Sequence, residues 1–151
     1  MGEITTSAAA ERVDPTIQKG SATATMTDPA AAAATLIAEH LSSFTYDWMT
    51  ERELQDHVAA QLAPRFTTHR ERPLAPRDRP DFIVETSGIT VAVEVKIAGA
   101  HNAVLRQLGR YAEHDRIAAV VLASGRRTLL AGIPPLLHSK PIAVALLAGA
   151  L

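Results

Sequence analysis

Asp81, Glu94 and Lys96 are two acids and a lysine spaced so that they can act on one substrate together. Metal-assisted hydrolysis of a phosphodiester needs carboxylates that converge on a divalent cation and a positive group near the attacking water or the scissile phosphate. These three residues supply that minimum set. Oxygen donors favour Mg²⁺ or Mn²⁺ over zinc. The chain has no cysteine, which removes thiolate-held zinc, iron–sulfur clusters, disulfides and a cysteine nucleophile together. Taken singly, each residue has a plainer reading: Lys96 as a strand-end lysine, Glu94 as its surface partner, Asp81 as a turn residue after Pro80.

The elements around them change that balance. Ile89 to Ile97 alternates as a strand, with Ile89, Val91, Val93, Val95 and Ile97 on one face and Thr90, Ala92, Glu94 and Lys96 on the other. Asp81 to Glu85 reads as the strand before it, with Ser87-Gly88 as the turn. A two-residue turn sets Asp81 opposite Glu94 on one face, with Cβ atoms about 5 Å apart. Upstream, Thr50 to Glu53 reads as a capping box opening a helix that runs to about Ala63, with Leu54, Val58 and Leu62 as its buried stripe. Glu51 projects from that stripe, a costly direction for a carboxylate without a partner or a function. Downstream, a helix over Asn102 to about His114 turns Val104, Leu105 and Leu108 inward and sets Gln107 and Tyr111 one turn apart.

The rest of the chain frames this unit. Residues 1–27 show no sustained periodicity and read as a disordered or loosely attached arm, with Met26 as an alternative start; residues 28–151 read as one domain. Asp28-Pro29 opens a first helix that ends near Ser42 or Ser43, and Phe44, Tyr46 and Trp48 are expected to anchor it to the core. Arg65 to Arg72 reads as a strand, Pro73, Pro76 and Pro80 as a loop, and Ile117 to Ala123 as a strand covered on both sides. Beyond Pro134-Pro135, Leu136 and Leu137 read as the start of another helical turn, and Ile142 to Leu147 as the last strand. The expected class is α/β, with a central mixed sheet of about four or five strands flanked by helices.

Fifteen Lys and Arg against sixteen Asp and Glu leave a net charge of −1, so the totals advertise no polyanion partner. Locally the picture differs. Arg65, Arg70, Arg72, Arg77 and Arg79 precede Asp81, and Arg106, Arg110, Arg126 and Arg127 follow Lys96. Such a collar can neutralise phosphates, or it is a solvated charge run. His101 and His114 flank the same region, as accessory phosphate contacts or as ordinary polar helix-end residues. No apolar run approaches the roughly 20 residues that span a bilayer, and no basic segment leads into an apolar one at the N-terminus. A soluble, cytoplasmic protein is expected.

Pro80-Asp81, then twelve residues, then Glu94-Val95-Lys96 resembles the PD-(D/E)XK nuclease superfamily. Glu51 in ERELQDHVAAQL resembles the helical acid that precedes the core in archaeal Holliday-junction resolvases and related members. Gln107-Leu108-Gly109-Arg110-Tyr111 resembles the QxxxY motif of the RecB-like and lambda-exonuclease-like branches. The resemblance covers residues 50–124 in the right order. It implies a restriction-endonuclease-like core and Mg²⁺- or Mn²⁺-dependent cleavage of DNA. It further implies Asp81, Glu94 and the Val95 carbonyl as metal ligands, with Glu51 joining directly or through water. Lys96 would orient or activate the water, and Gln107 with Tyr111 would position Lys96 or the DNA backbone. Arg79, Arg106, Arg110 and Tyr111 are then the expected nucleic-acid contacts. The implied setting is DNA repair, recombination, or phage and defence DNA processing; a homodimer fits, since resolvase-like members work as dimers. The alternative on the same fold is a nucleic-acid-binding or assembly module that no longer cuts.

Overall fold

The computed structural model describes Gly2 and residues 28–150. The arm expected over residues 1–27, and Met26 with it, otherwise lies outside the described residues. Helix α1 (Pro29–Ser42) opens where Asp28 accepts the Ala30 N–H at 3.0 Å and Pro29 occupies the first turn. Strand β1 (Thr45–Tyr46) follows, then α2 (Glu51–Leu62), which begins on the capping box expected of Thr50 and Glu53. Next come β2 (Thr67–Arg70), β3 (Phe82–Thr86), β4 (Ile89–Lys96), α3 (His101–Ala112), β5 (Ala119–Ser124) and the short α4 (Arg127–Leu130). Strands β6 (Leu136–Leu137), β7 (Lys140–Leu146) and β8 (Ala148–Gly149) complete the chain.

Six strands form one mixed sheet in the order β2-β3-β4-β5-β7-β6. The β2-β3-β4 half is antiparallel, β4-β5-β7 is parallel, and β6 returns antiparallel on β7. This is an α/β architecture with helices on both faces. The sheet is wider than the four or five strands expected, and the difference lies at its edges. Leu136 and Leu137 do not start a helix: His138 (φ 47) and Ser139 (φ 64) make a tight turn that lays them back on β7, and Ile142 N–H donates to Pro135 O at 3.0 Å. Expected strand Arg65 to Arg72 shortens to Thr67–Arg70, because Glu71, whose N–H still donates to Asp81 O at 2.9 Å, takes a positive φ of 54 and turns the chain away beyond that bond. A separate two-stranded pair joins β1 to β8 in parallel.

Two apolar layers hold the sheet. On one face Ile37 and Leu41 of α1 and Leu54, Val58 and Leu62 of α2 cover Val91, Val93, Val95 and Val121. On the other, Val104, Leu108 and Tyr111 of α3 cover Ala92, Val120 and Leu122. Every residue of β5 is buried, as a parallel strand covered on both sides requires. The aromatic cluster anchors the α1–α2 connection: Tyr46 is buried and donates to Leu41 O at 2.7 Å, and the Trp48 ring abuts Gly125. Among the described residues, no helix is long and apolar enough to cross a membrane.

Candidate functional site

The acid pair is built by the β3–β4 hairpin. Ser87 (φ 50) and Gly88 (φ 75) form a two-residue turn of the type whose twist suits a hairpin, closed by Thr86 opposite Ile89. That register pairs Phe82 with Val93, and the next step brings Asp81 to Glu94. The Asp81 N–H donates to Glu94 Oε2 at 3.3 Å. Glu94 is only 3% exposed, and Lys96 Nζ stands 3.3 Å from its other oxygen. Asp81 is held through both carboxylate oxygens: Oδ2 accepts the Val95 N–H at 2.7 Å, and Oδ1 accepts Gln55 Nε2 at 3.1 Å.

Burial sets the electrostatics of the pair. It pushes the Glu94 carboxyl up to about 7, helped by the Asp81 charge and opposed by Lys96. It pushes Asp81 up to about 6, with the Val95 N–H and Lys96 opposing and the Glu51 charge adding to the rise. Once pH exceeds these values and both acids ionise, the pair carries two negative charges against the single ammonium of Lys96.

The flanking helices bring the remaining residues. Glu51, at the first turn of α2, accepts the Ile97 N–H at 3.3 Å, which is the partner its inward direction demanded. Gln107 Nε2 donates to the Tyr111 hydroxyl at 2.8 Å, and that hydroxyl donates to Arg79 O at 3.3 Å. Burial, then the adjacent Glu94 charge, holds the Tyr111 phenol protonated far above its ordinary range. Asp81, Glu94, Lys96, Gln107 and Tyr111 therefore meet in one place, with Glu51 at its edge. The amides that hold Asp81 and Glu51 are two residues apart, Val95 on β4 and Ile97 just past its end, about 7 Å for extended backbone. Among the described residues, no three His, Asp or Glu side chains close into a ready-made metal cage. The donors that converge here are carboxylate oxygens, the type that a hard divalent cation prefers, and such an ion would add positive charge beside the pair.

The arginines divide. Arg79 is exposed beside Asp81, with its carbonyl tied to Tyr111. Arg110 is engaged within the chain: its Nε lies 3.1 Å from Asp78, which also bonds His114 Nε2 at 2.8 Å. His114 and Arg110 together hold the Asp78 carboxyl below its usual range. Arg106 lines an open groove on the flank of α3 with Leu105, Gly109, Glu113, Leu137 and His138. His101 is taken up by Ala131 O at 2.9 Å.

Two residues of this network carry no motif. Gln55 has one usable signal, its place one turn after Glu51 on the same face of α2. Asp78 has none, because only the folded loop brings it to α3. Comparison with protein-family models, with curated proteins and with solved structures finds no match to the chain.

Proposed function

We propose that the chain is a metal-dependent deoxyribonuclease of the PD-(D/E)XK kind, with a restriction-endonuclease-like core, that hydrolyses DNA phosphodiester bonds with Mg²⁺ or Mn²⁺. One observation carries this reading: Glu94 is buried, the half-buried Asp81 stands against it, and Lys96 is bonded to Glu94. Burying two like charges side by side costs stability, and a solvated surface would offer both acids a less costly place. A site that must receive a cation gives the arrangement a reason.

Asp81, Glu94 and the Val95 carbonyl would hold the ion, with Glu51 reaching it through water. The ion would polarise a phosphoryl oxygen and lower the pKa of a bound water. The chain's own residues do the rest. Lys96, fixed by Glu94, carries the positive charge placed to orient the attacking water and to offset charge gathering on the phosphate. Tyr111, kept protonated and locked by Gln107 and the Arg79 carbonyl, holds the loop that brings Asp81 to the pair. The Arg79 guanidinium extends from that loop as a phosphate contact. The mixed sheet, with an antiparallel hairpin feeding a parallel strand and helices before and after, supports the same reading.

The test is a panel of linear, circular and four-way-junction DNA with Mg²⁺ or Mn²⁺, run against Lys96→Ala and a chelator control. Cleavage by the wild type that both the substitution and the chelator abolish is the expected result. A wild-type protein inert on single-stranded, duplex and branched DNA with either metal overturns the proposal.

A further inference from the structure

We propose that Gln55 is a positioning residue that fixes the plane of the Asp81 carboxylate from helix α2. The placement stands on geometry alone, and its catalytic consequence rests on the nuclease reading above.

An aspartate carboxylate turns about a soft terminal torsion, with a broad and roughly two-fold profile. One hydrogen bond fixes one oxygen and leaves the plane free to swing. Asp81 has two, from different elements: the Val95 amide on Oδ2 at 2.7 Å and Gln55 Nε2 on Oδ1 at 3.1 Å. Two donors on two oxygens define a plane. The first donor belongs to β4 and moves with Glu94 and Lys96, so it cannot by itself orient Asp81 relative to anything outside the sheet. The second ties the carboxylate to a helix.

That helix is well suited to the role. Leu54, Val58 and Leu62 of α2 are fully buried, and its first turn is closed by the reciprocal Thr50–Glu53 cap. Gln55 follows Glu51 by four residues, so both side chains leave the same face. Glu51 reaches the Ile97 amide and Gln55 reaches the acid held on the Val95 amide. One helical turn, about 5.4 Å, is thereby laid against the end of β4 and the residue after it, about 7 Å, and the long side chains absorb the difference. A neutral amide is the apt group here. It donates to Asp81 without adding a cation that would compete with Lys96 or with a bound metal, and without adding to a negative charge already in excess.

The test uses the full chain and two variants. Gln55→Met keeps length and helix propensity but cannot donate, and Gln55→Glu keeps the shape but donates nothing when ionised. The first readout is the amide resonance and hydrogen exchange of Val95, whose bond to Asp81 reports the carboxylate's orientation. The Ile97 amide, bonded to Glu51, is the internal control. Expected in both variants is a displaced Val95 resonance with exchange about tenfold faster, an unmoved Ile97 resonance and an unchanged circular dichroism spectrum. The second readout is Mn²⁺ affinity and cleavage, expected to fall about 10- to 100-fold, with the loss in kcat and KM for DNA unchanged. An unmoved Val95 amide in both variants overturns the proposal, as does full kcat in both variants of a protein that cuts. A displaced Val95 amide in a protein that neither binds Mn²⁺ nor cuts upholds the positioning role and overturns the nuclease reading instead.

Discussion

The backbone amide of Asp81 donates to the side chain of Glu94 at 3.3 Å, so one acid of the pair helps to solvate the other. That bond offsets a small part of the cost of burying Glu94, and Lys96 offsets more. What remains uncompensated governs how the protein responds to pH, to charge removal and to cations.

Stability should fall as pH rises in the absence of metal. The folded carboxyls lie at about 6 for Asp81 and about 7 for Glu94, above ordinary values of 3.8 and 4.5. Raised acids bind protons that the unfolded chain has released, so their contribution is complete below about pH 4 and is lost as pH climbs through 6 and 7. Wild-type Tm measured with a chelator is expected to drop between pH 5 and 8. Glu94→Gln should flatten that slope and gain about 2 kcal/mol over wild type at pH 8. An equally steep slope in the variant would show that the pair is not its source.

A divalent cation should reverse the same loss. Millimolar Mg²⁺ or Mn²⁺ is expected to raise the wild-type Tm at pH 8, since a ligand bound only by the folded state stabilises it. The rise should vanish in Asp81→Asn with Glu94→Gln. Equal shifts in both proteins would place the cation elsewhere.

Lys96→Met should lower cleavage about 10²- to 10³-fold while leaving the circular dichroism spectrum intact, because the side chain is partly exposed and its stem is apolar. Arginine should rescue poorly, since a planar fork does not sit where one ammonium meets one Glu94 oxygen. Single-turnover rates with all three proteins decide the point.

Tyr111→Phe removes the hydroxyl between Gln107 and the Arg79 carbonyl and leaves Gln107 without that acceptor. A loss of about 1–2 kcal/mol in urea unfolding is expected, with a reduced cleavage rate as the loop before Asp81 loosens. Arg110→Ala attacks the same loop through Asp78 and should mimic it. If Arg110→Ala changes only the salt dependence of DNA binding, the guanidinium serves the substrate and not the loop.

Gly125→Ala should unseat Trp48. A Cβ at Gly125 would overlap the Trp48 ring, and the Leu147 carbonyl closes the other side at 3.4 Å. Overpacking of this kind costs about 1–3 kcal/mol. Trp48 is the chain's single tryptophan, so its emission should shift to the red in the variant. An unshifted spectrum would mean that the ring accommodates the methyl in place.

The centre of the fold was legible because local rules governed it. Ser87-Gly88 specified the turn, alternation specified the faces, and together they put Asp81 against Glu94 in the register observed. Thr50 and Glu53 announced the start of α2, and Asp28-Pro29 that of α1. The edges were not legible. Strands of two residues, such as Leu136–Leu137 and Thr45–Tyr46, are too short to show a period, and their partners lie wherever the chain returns. At the site, Gln55 and Asp78 escaped notice because their bonds to Asp81 and His114 span 26 and 36 residues; only the place of Gln55 one turn after Glu51 gave a local sign, and Asp78 had none. Arg110 drew notice for the opposite reason. Its motif and neighbours suggested a phosphate contact, and the fold adds an acid partner, Asp78, that no local pattern announces.

The hairpin turn also sets an order in time. Asp81 and Glu94 are 13 residues apart, but Gln55 and Glu51 reach their partners across 26 and 46. A hairpin closes in about 1–10 μs, well before distant elements dock. The two acids are therefore expected to meet while water still surrounds them, where their repulsion is on the order of 1 kcal/mol, with dehydration following as α2 and α3 arrive. Substitution of Gly88, at a φ of 75, is expected to slow refolding, whereas changes at Gln55 or Tyr111 should chiefly hasten unfolding. Such an order would separate the encounter of the two acids from their dehydration.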